Sequence, residues 1–207
     1  MKIGVVLGST RISSNTDGVG KYVTSLLSTH FPNLTLETIN LRTSPNHPLP
    51  LVLEETLPMS HDISTLPNAY VDPSIRAWSK TVLGWDGLII VSPQYNWGIP
   101  APLKNALDHL YKEFNALPVG IVTLGGRGGG KCADQLKQVI EGGMHMRTVE
   151  KMVAISIPGE LIRTPAGVTG GEDFLKEHES DILEMVKQLE AMLSEDRFAS
   201  LKSDKAH

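Results

Sequence analysis

The sequence predicts an α/β protein built on a doubly wound parallel sheet. Short apolar runs alternate with longer amphipathic segments, which is the pattern of βα units. One run, residues 87–91, is uninterrupted and rich in Ile, as expected for a strand that is covered on both faces. Loops rich in polar groups or glycine follow three of these runs, at the carboxyl edge where such sheets bind ligands.

Four segments fill the first third of the chain. Residues 3–7 predict the first strand, and residues 16–30 carry apolar side chains at the spacing of a helix. Residues 34–41 predict a second strand, whose mixed alternation places it nearer an edge of the sheet. The Pro-rich stretch 42–70 predicts neither helix nor strand, and a loop of this length is usually functional or mobile.

The middle of the chain places one helix before and one helix after the strand at 87–91. Asp72 is a good N-cap with a proline behind it, so the second helix is predicted over residues 73–83. Pro100 fits only the first turn of a helix, where a missing N–H costs little. The third helix is therefore predicted from residue 100 to about residue 114.

The last part of the chain repeats the alternation. Residues 118–124 predict the fourth strand, 130–142 the fourth helix and 152–157 the fifth strand. A final helix is predicted from residue 170 to about residue 194. Five parallel strands with helices between them fit the flavodoxin-like order 2-1-3-4-5 better than a six-stranded dinucleotide-binding fold.

Composition limits the classes of protein to which the chain can belong. Lys and Arg number 19 against 23 Asp and Glu, which gives no overall field to attract nucleic acid or anionic lipid. The single cysteine, Cys132, rules out an internal disulfide framework, and the scattered histidines lack the spacing of metal ligands. We expect a cytoplasmic protein with no metal and no nucleic-acid or membrane partner, because the chain enters a strand at once and has no bilayer-spanning run.

No repeat or linker divides the sequence. We therefore expect a single domain over residues 1–195, followed by a charged, flexible tail over 196–207.

The first turn, residues 8–16, offers hydroxyls, an amide, a cation and the N–H groups of a helix N-terminus. Such a turn suits a phosphomonoester, because the helix end carries about half a positive charge. It matches neither the dinucleotide fingerprint G-x-G-x-x-G nor the P-loop of nucleotide triphosphatases. Taken alone, the same residues could simply cap the helix.

Two further loops lie at the same predicted edge. Residues 92–100 form a rigid loop of amide, phenol and indole groups after the third strand. Residues 125–130 include five glycines in six positions, which lets backbone approach a flat ligand where any Cβ would collide. A flexible surface loop is the alternative for this glycine-rich segment.

Together the three loops resemble the NADPH-dependent FMN reductase family, in particular its yeast-type quinone and FMN reductases, with azoreductases and chromate reductases as relatives. The resemblance runs from residue 1 to about residue 157. Its motifs are Gly8-Ser9-x-Arg11, Pro93-Gln94-Tyr95-Asn96-Trp97-Gly98-x-Pro100-Ala101-x-Leu103-Lys104-Asn105-Ala106-x-Asp108 and Gly125-Gly126-x-Gly128-Gly129-x-Lys131.

The resemblance implies bound FMN and assigns residues to it. The first turn would hold the phosphate, the aromatic loop would edge the ribityl chain and the isoalloxazine ring, and the glycine-rich loop would face the pyrimidine end of the ring. The implied residues are Ser9, Arg11, Ser14, Asn15, Thr16, Pro93, Gln94, Tyr95, Asn96, Trp97, Leu124, Gly125, Gly126 and Arg127. Which hydroxyl of the first turn touches the phosphate stays open.

The implied chemistry belongs to FMN, so no catalytic side chain is assigned. NAD(P)H would be the cosubstrate in a ping-pong mechanism, and the acceptor a quinone, free flavin, azo dye or metal oxyanion. A flavodoxin-like electron carrier and a flavin-bound redox sensor or interaction protein are the alternatives. Rapid reduction by NADPH and reoxidation by a quinone would distinguish a reductase from both.

A homodimer is also expected, with the second subunit helping to build the acceptor site. Residues 49–53 form an apolar cluster in an otherwise polar loop, which a small monomer has little reason to expose. The resemblance places this segment and the Leu103, Leu107 and Leu110 face of the third helix near the interface. Packing of the cluster within one subunit is the alternative.

Overall fold

The fold is an α/β sandwich around a parallel sheet, seen in a computed structural model that describes residues 1–193. The strands are β1 (Lys2–Leu7), β2 (Thr35–Asn40), β3 (Gly87–Pro93), β4 (Pro118–Gly125), β5 (Arg147–Thr148) and β6 (Val153–Ser156). The order β2-β1-β3-β4-β5, with β6 also paired to β4, confirms the predicted flavodoxin-like arrangement and the edge position of the second strand. All pairs are parallel.

The fifth position of the sheet differs from the prediction. Two short strands share it: β5 pairs with the start of β4, and β6 pairs with its end. The polar and charged residues between them lack the apolar pattern of a buried strand, and only β6 was predicted.

Helices cover both faces of the sheet. They are α1 (Asn15–His30), α2 (Pro73–Leu83), α3 (Ala101–Asp108), α4 (Gly130–Lys137), α5 (Gly159–Arg163) and α6 (Glu179–Met192). Side chains of α1 and α6 pack on one face, and those of α2, α3 and α4 pack on the other. Among the described residues, no helix is long and apolar enough to cross a membrane.

Three predicted helices differ from the prediction in their ends or in their helix type. The third stops at Asp108 and is followed by a separate 3₁₀ turn, Lys112–Phe114, so it is shorter than predicted. The fourth continues past Lys137 as a π-helix, Gln138–Gly143. The last begins with a 3₁₀ segment, Asp173–His178, before α6; its predicted end at residue 194 lies outside the described residues.

Two expectations from the sequence fall partly or wholly beyond residue 193. They are the end of the predicted domain at residue 195 and the flexible tail over 196–207.

The cap of α2 is the one predicted from sequence. Asp72 accepts hydrogen bonds from the backbone N–H groups of Ser74 (2.7 Å) and Ile75 (3.3 Å), and Pro73 occupies the first helical position. The Ser74 hydroxyl also donates to this carboxylate, and its bond, assisted by the two backbone bonds, lowers the pKa of Asp72. The cap fixes where the long Pro-rich loop ends.

That loop is anchored by polar contacts, and it contains two 3₁₀ turns, Pro58–Ser60 and Ile63–Thr65. Asn105 (3.0 Å) and His109 Nε2 (2.7 Å) donate to the Pro50 carbonyl, and the Glu54 carboxylate accepts from the Val71 N–H (2.9 Å). Residues 42–70, all of which the structure describes, contain no α-helix and no β-strand, as the sequence predicts. The two 3₁₀ turns are the exception.

The apolar face of α3, together with Leu110 just after the helix ends, is occupied within the subunit. Leu103, Leu107 and Leu110 are each at most 2% exposed and belong to the core between the sheet, α2, α3 and α4. The expectation that these three leucines present a free face to a second subunit is therefore wrong, because the spacing that marks an apolar stripe is the same for a core and for an interface.

Candidate functional site

A cavity of about 400 Å³ opens at the carboxyl edge of the sheet, where β1, β3 and β4 end. All three predicted loops contribute to it. The predicted residues that line it are Arg11, Ser14, Asn15, Thr16, Pro93, Gln94, Tyr95, Asn96, Leu124, Gly125 and Gly126. Ser9, Trp97 and Arg127 are not among its lining residues.

The first turn leaves one buried hydroxyl without a partner. Ser14 caps α1 by accepting from the Thr16 N–H (3.2 Å), as Ser does at helix starts. Thr16 itself is fully buried, and among residues 1–193 its Oγ1 has no hydrogen-bond partner. An unpaired buried hydroxyl costs free energy, and Thr16 lines the cavity. The unpaired Oγ1 therefore indicates that a polar ligand binds at the helix N-terminus.

Asn15 has a different local role from its neighbours. Its side-chain Oδ1 accepts from the Val168 N–H at 2.8 Å. This contact ties the first turn to the segment that follows β6. The oxygen is therefore engaged within the protein.

Ser9, Arg11 and Tyr95 join the first turn to the aromatic loop. The Ser9 and Tyr95 hydroxyls are hydrogen bonded at 2.7 Å, and Ser9 Oγ also accepts from the Arg11 N–H at 3.2 Å. The Arg11 guanidinium lies 4.5 Å from the centroid of the Tyr95 ring, a cation–π contact. Ser9 is 1% exposed and supports this arrangement from below the cavity surface.

The aromatic loop is a tight turn with a strained backbone. Tyr95 and Gly98 exchange backbone hydrogen bonds of 3.1 and 2.9 Å. Between them Asn96 (φ +48°) and Trp97 (φ +67°) both lie in the left-handed region; asparagine tolerates this conformation, whereas for the bulky tryptophan it costs roughly 1–2 kcal/mol. Such strain persists only where the surroundings hold it in place, and it clusters at functional sites.

The surroundings that hold the loop are the neighbouring strand and α4. The Gln94 N–H donates to the Leu124 carbonyl (2.9 Å), while Gln94 Oε1 accepts from the Cys132 N–H (3.2 Å). Gln135 donates from Nε2 to the Trp97 carbonyl (3.3 Å). The backbone N–H groups of Gln94 and Tyr95 are thus used inside the protein, and the exposed Asn96 amide remains at the cavity.

The glycine-rich loop needs its glycines for close approach. Gly128 and Gly129 have φ values of +76° and +84°, and a Cβ on Gly129 would lie 2.9 Å from the Cβ of Thr123. Gly125 and Gly126 line the cavity, whereas Arg127 lines a neighbouring cleft together with Trp97.

Sequence reasoning missed one wall of the cavity. Ile157, Leu161, Ile162 and Thr164 line it, and Ser13 adds a further residue of the first turn. Two of the four lie on α5, which has only five residues and was not predicted. Pro158, directly before α5 and three residues before Leu161, was the available signal, because proline is common at helix starts.

Cys132 lies outside the cavity lining and is fully buried. Burial raises the pKa of its thiol, and the contact with Ser92 Oγ, 3.6 Å from Sγ, only partly opposes the rise. The thiol is therefore neutral at neutral pH. Within residues 1–193, no group of three or more His, Cys, Asp or Glu side chains is placed to hold a metal ion.

Comparison with known proteins gives one consistent result. A family model described as NADPH-dependent FMN reductase matches residues 1–158. An NAD(P)H-dependent FMN reductase of Saccharomyces cerevisiae is 33% identical over 190 residues, or 90% of this chain and 95% of that protein. A Schizosaccharomyces pombe protein of the same description is 39% identical over 162 residues, or 78% of this chain and 76% of its own.

Solved structures agree on the fold. The flavoenzyme FerB of Paracoccus denitrificans, an NAD(P)H:(acceptor) oxidoreductase, superposes with a TM-score of 0.65 at 20% identity. The match covers 92% of this chain and 98% of that one.

Proposed function

The chain belongs to the NADPH-dependent FMN reductase family, and on that premise we propose that it passes electrons from NADPH or NADH to quinones, free flavins or similar acceptors. It is an FMN-dependent NAD(P)H oxidoreductase. Bound FMN supplies the hydride and electron chemistry, and the protein supplies binding, orientation and electrostatics. We assign no catalytic side chain.

The buried Thr16 hydroxyl is the observation that carries the proposal, because it fits the phosphate of FMN. Phosphate oxygens are acceptors that the unpaired hydroxyl and the helix N-terminus can satisfy. Arg11 lies at the same turn and brings a cation that can bind phosphate in a bidentate manner. Ser13 and Ser14 complete the polar lining.

The other end of the cavity fits a flat heteroaromatic ring. The backbone at Gly125 and Gly126 carries no side chain, so a ring can approach it closely. Leu161 and Ile162 form an apolar wall, and Asn96 provides an amide that both donates and accepts. A cavity of about 400 Å³ is within the usual size of small-molecule sites.

Ping-pong kinetics are part of the proposal. The ring end of the cavity is bounded by Asn96 on one side and by Ile162, which is 47% exposed, on another. We propose that the nicotinamide and the acceptor occupy this space in turn. Double-reciprocal plots at several acceptor concentrations should then be parallel.

Anaerobic stopped-flow mixing of the FMN-loaded protein with NADPH tests the proposal. Rapid loss of flavin absorbance, followed by its recovery when a benzoquinone is added, is the expected result. Flavin that stays oxidised with both NADPH and NADH would contradict the proposed activity and favour an electron carrier or a sensor.

Asn96→Ala is expected to slow flavin reduction or shift the flavin potential, because it removes the amide at the ring end of the cavity. Alanine also disfavours φ +48°, so Asn96→Gly is the matched control that keeps the backbone conformation and still lacks the amide. Reduction rate and potential are measured for both variants. If Asn96→Gly equals the wild type in both, Asn96 only shapes the loop.

We also propose a homodimer whose interface includes the Pro-rich loop. Leu51 and Val52 are 81% and 83% exposed, and Leu53, Leu57 and Met59 are exposed on the same loop. Five exposed apolar side chains within nine residues of one loop favour an interaction site over free surface. Leu49, in contrast, is buried within the subunit.

Light scattering is expected to give twice the chain mass of 22.5 kDa. Introducing charge with Leu51→Asp and Val52→Asp should yield monomers, because a carboxylate in an apolar interface is costly to desolvate. Lys80→Asp, on the exposed side of α2, is the control and should remain dimeric. A wild-type monomer at micromolar concentration with full quinone reductase activity would contradict the dimer and its role in the acceptor site.

A further inference from the structure

A second cleft, of about 280 Å³, adjoins the main cavity. Gln94 lines both, so the two are neighbours on either side of this residue. The other lining residues of the second cleft are Trp97, Arg127, Gly130, Lys131 and Asp134. They include two residues, Trp97 and Arg127, that were expected at the flavin and do not line its cavity.

The charges in this cleft are available to a ligand. Arg127 and Lys131 are exposed, and neither side chain makes a hydrogen bond or ion pair with another residue in the range 1–193. Asp134 is the one acidic residue of the lining, so the cleft carries a formal charge of +1. The whole chain has a net charge of −4, so the positive charge of this cleft is opposite in sign to that of the protein as a whole.

The cleft also has a flat aromatic wall that is held in place. The Trp97 side chain is 64% exposed, although its backbone is fixed in the left-handed conformation. Gln135 of α4 secures it through the Trp97 carbonyl. An exposed indole on a fixed backbone is a stacking surface for a nucleobase.

We propose that this cleft binds the adenosine 2′-phosphate end of NADPH, with the phosphate on Arg127 and Lys131 and the adenine on Trp97. The assignment rests on the proposed function, because it places the nicotinamide end of the same molecule in the adjoining cavity. NADH lacks the 2′-phosphate, so the cleft selects NADPH. Asp134 opposes that selection, since its carboxylate repels the phosphate.

Kinetics of the FMN-loaded enzyme with both nucleotides provide the first test. The ratio of kcat/KM for NADPH to that for NADH should fall about 10- to 100-fold when Arg127→Ala and Lys131→Ala are combined, as loss of charge-assisted hydrogen bonds predicts. Asp134→Asn should raise the ratio, and Lys131→Arg should retain it. Lys80→Ala, which removes an exposed lysine of α2, should leave it unchanged.

Calorimetry with the same holoenzyme provides a test without turnover. Adenosine 2′,5′-bisphosphate should bind more tightly than adenosine 5′-monophosphate, and the difference should disappear in the double variant. These two probes differ only in the 2′-phosphate.

The two proposals fail in different ways. An active enzyme whose nucleotide ratio is unchanged in the double variant would overturn the cleft assignment and leave the reductase standing. Equal losses with NADPH and NADH would likewise overturn it, because they would place Arg127 at the flavin. If neither nucleotide reduced the flavin, the proposed function would fail, and equal binding of the two adenosine probes would still decide against the cleft.

Discussion

Arg11→Ala is expected to weaken FMN binding by about 1.5–3 kcal/mol, a roughly 10- to 100-fold rise in Kd. The Arg11 guanidinium is stacked on the Tyr95 ring, 4.5 Å from its centroid. Arg11 and Thr16 both line the cavity. Stacking limits the conformations of the side chain before the phosphate arrives, so less entropy is lost on binding. Quenching of flavin fluorescence during titration of the apoprotein measures the change.

Riboflavin separates a phosphate contact from a contact with the ring. It lacks the phosphate, so Arg11→Ala should change its affinity far less than that of FMN. Arg11→Lys should recover only part of the FMN affinity, because an ammonium group cannot make the bidentate contact. An Arg11→Ala variant that binds FMN as tightly as the wild type would refute the phosphate assignment.

Tyr95→Phe controls for the role of the stack. It keeps the ring under Arg11 and removes the hydroxyl that is hydrogen bonded to Ser9 Oγ. A smaller effect than that of Arg11→Ala is expected, since a neutral hydrogen bond contributes about 0.5–1.5 kcal/mol.

Sequence was sufficient for the order of the sheet, apart from the short strand β5, and for the meeting of three loops at its edge. Buried parallel strands carry near-continuous apolar runs, as residues 87–91 of β3 show, and the carboxyl ends of such strands share one edge. The start of α2 followed from Asp72 and Pro73, which act through local hydrogen bonds and a fixed φ angle. Structural features that depend only on residues adjacent in the chain, such as this helix cap, can therefore be predicted from a single sequence.

Contacts between distant segments were not predictable. Nothing in residues 159–163 indicates that Leu161 and Ile162 meet the glycine-rich loop, which is more than thirty positions away in the chain. The directions of Trp97 and Arg127 depend on how α4 packs against the aromatic loop through Gln94 and Gln135. The direction of a side chain on a loop therefore depends on tertiary contacts, which cannot be predicted from the spacing of residues in a sequence motif.

The same limit applies to the packing of α1, where Gly18 faces the segment that follows α5. A Cβ added at Gly18 would lie 2.1 Å from the Val168 carbonyl oxygen and 2.4 Å from its carbon. Val168 is 4% exposed, and its N–H is bound to Asn15 Oδ1 at 2.8 Å. The backbone cannot rotate away as a side chain could, so the two segments must separate.

Gly18→Ala is accordingly expected to lower the free energy of unfolding by about 1–3 kcal/mol or more, as overpacking does. In an uncrowded helix the same change would add roughly 0.5–1 kcal/mol of stability. FMN affinity should fall as well, because the displaced Val168 no longer holds the Asn15 side chain of the first turn in place. Urea denaturation of the apoprotein and FMN titration measure the two effects.

Gly20→Ala is the matched control, since it lies two residues further along α1. Its Cβ would meet the end of the Leu7 side chain at 2.5 Å, and a leucine tip can change rotamer where a backbone carbonyl cannot move. We expect Gly20→Ala to cost less stability than Gly18→Ala and to keep FMN affinity close to that of the wild type. Equal losses in both variants would show that α1 tolerates no added methyl group, and the link from Val168 to the FMN site would then lose its support.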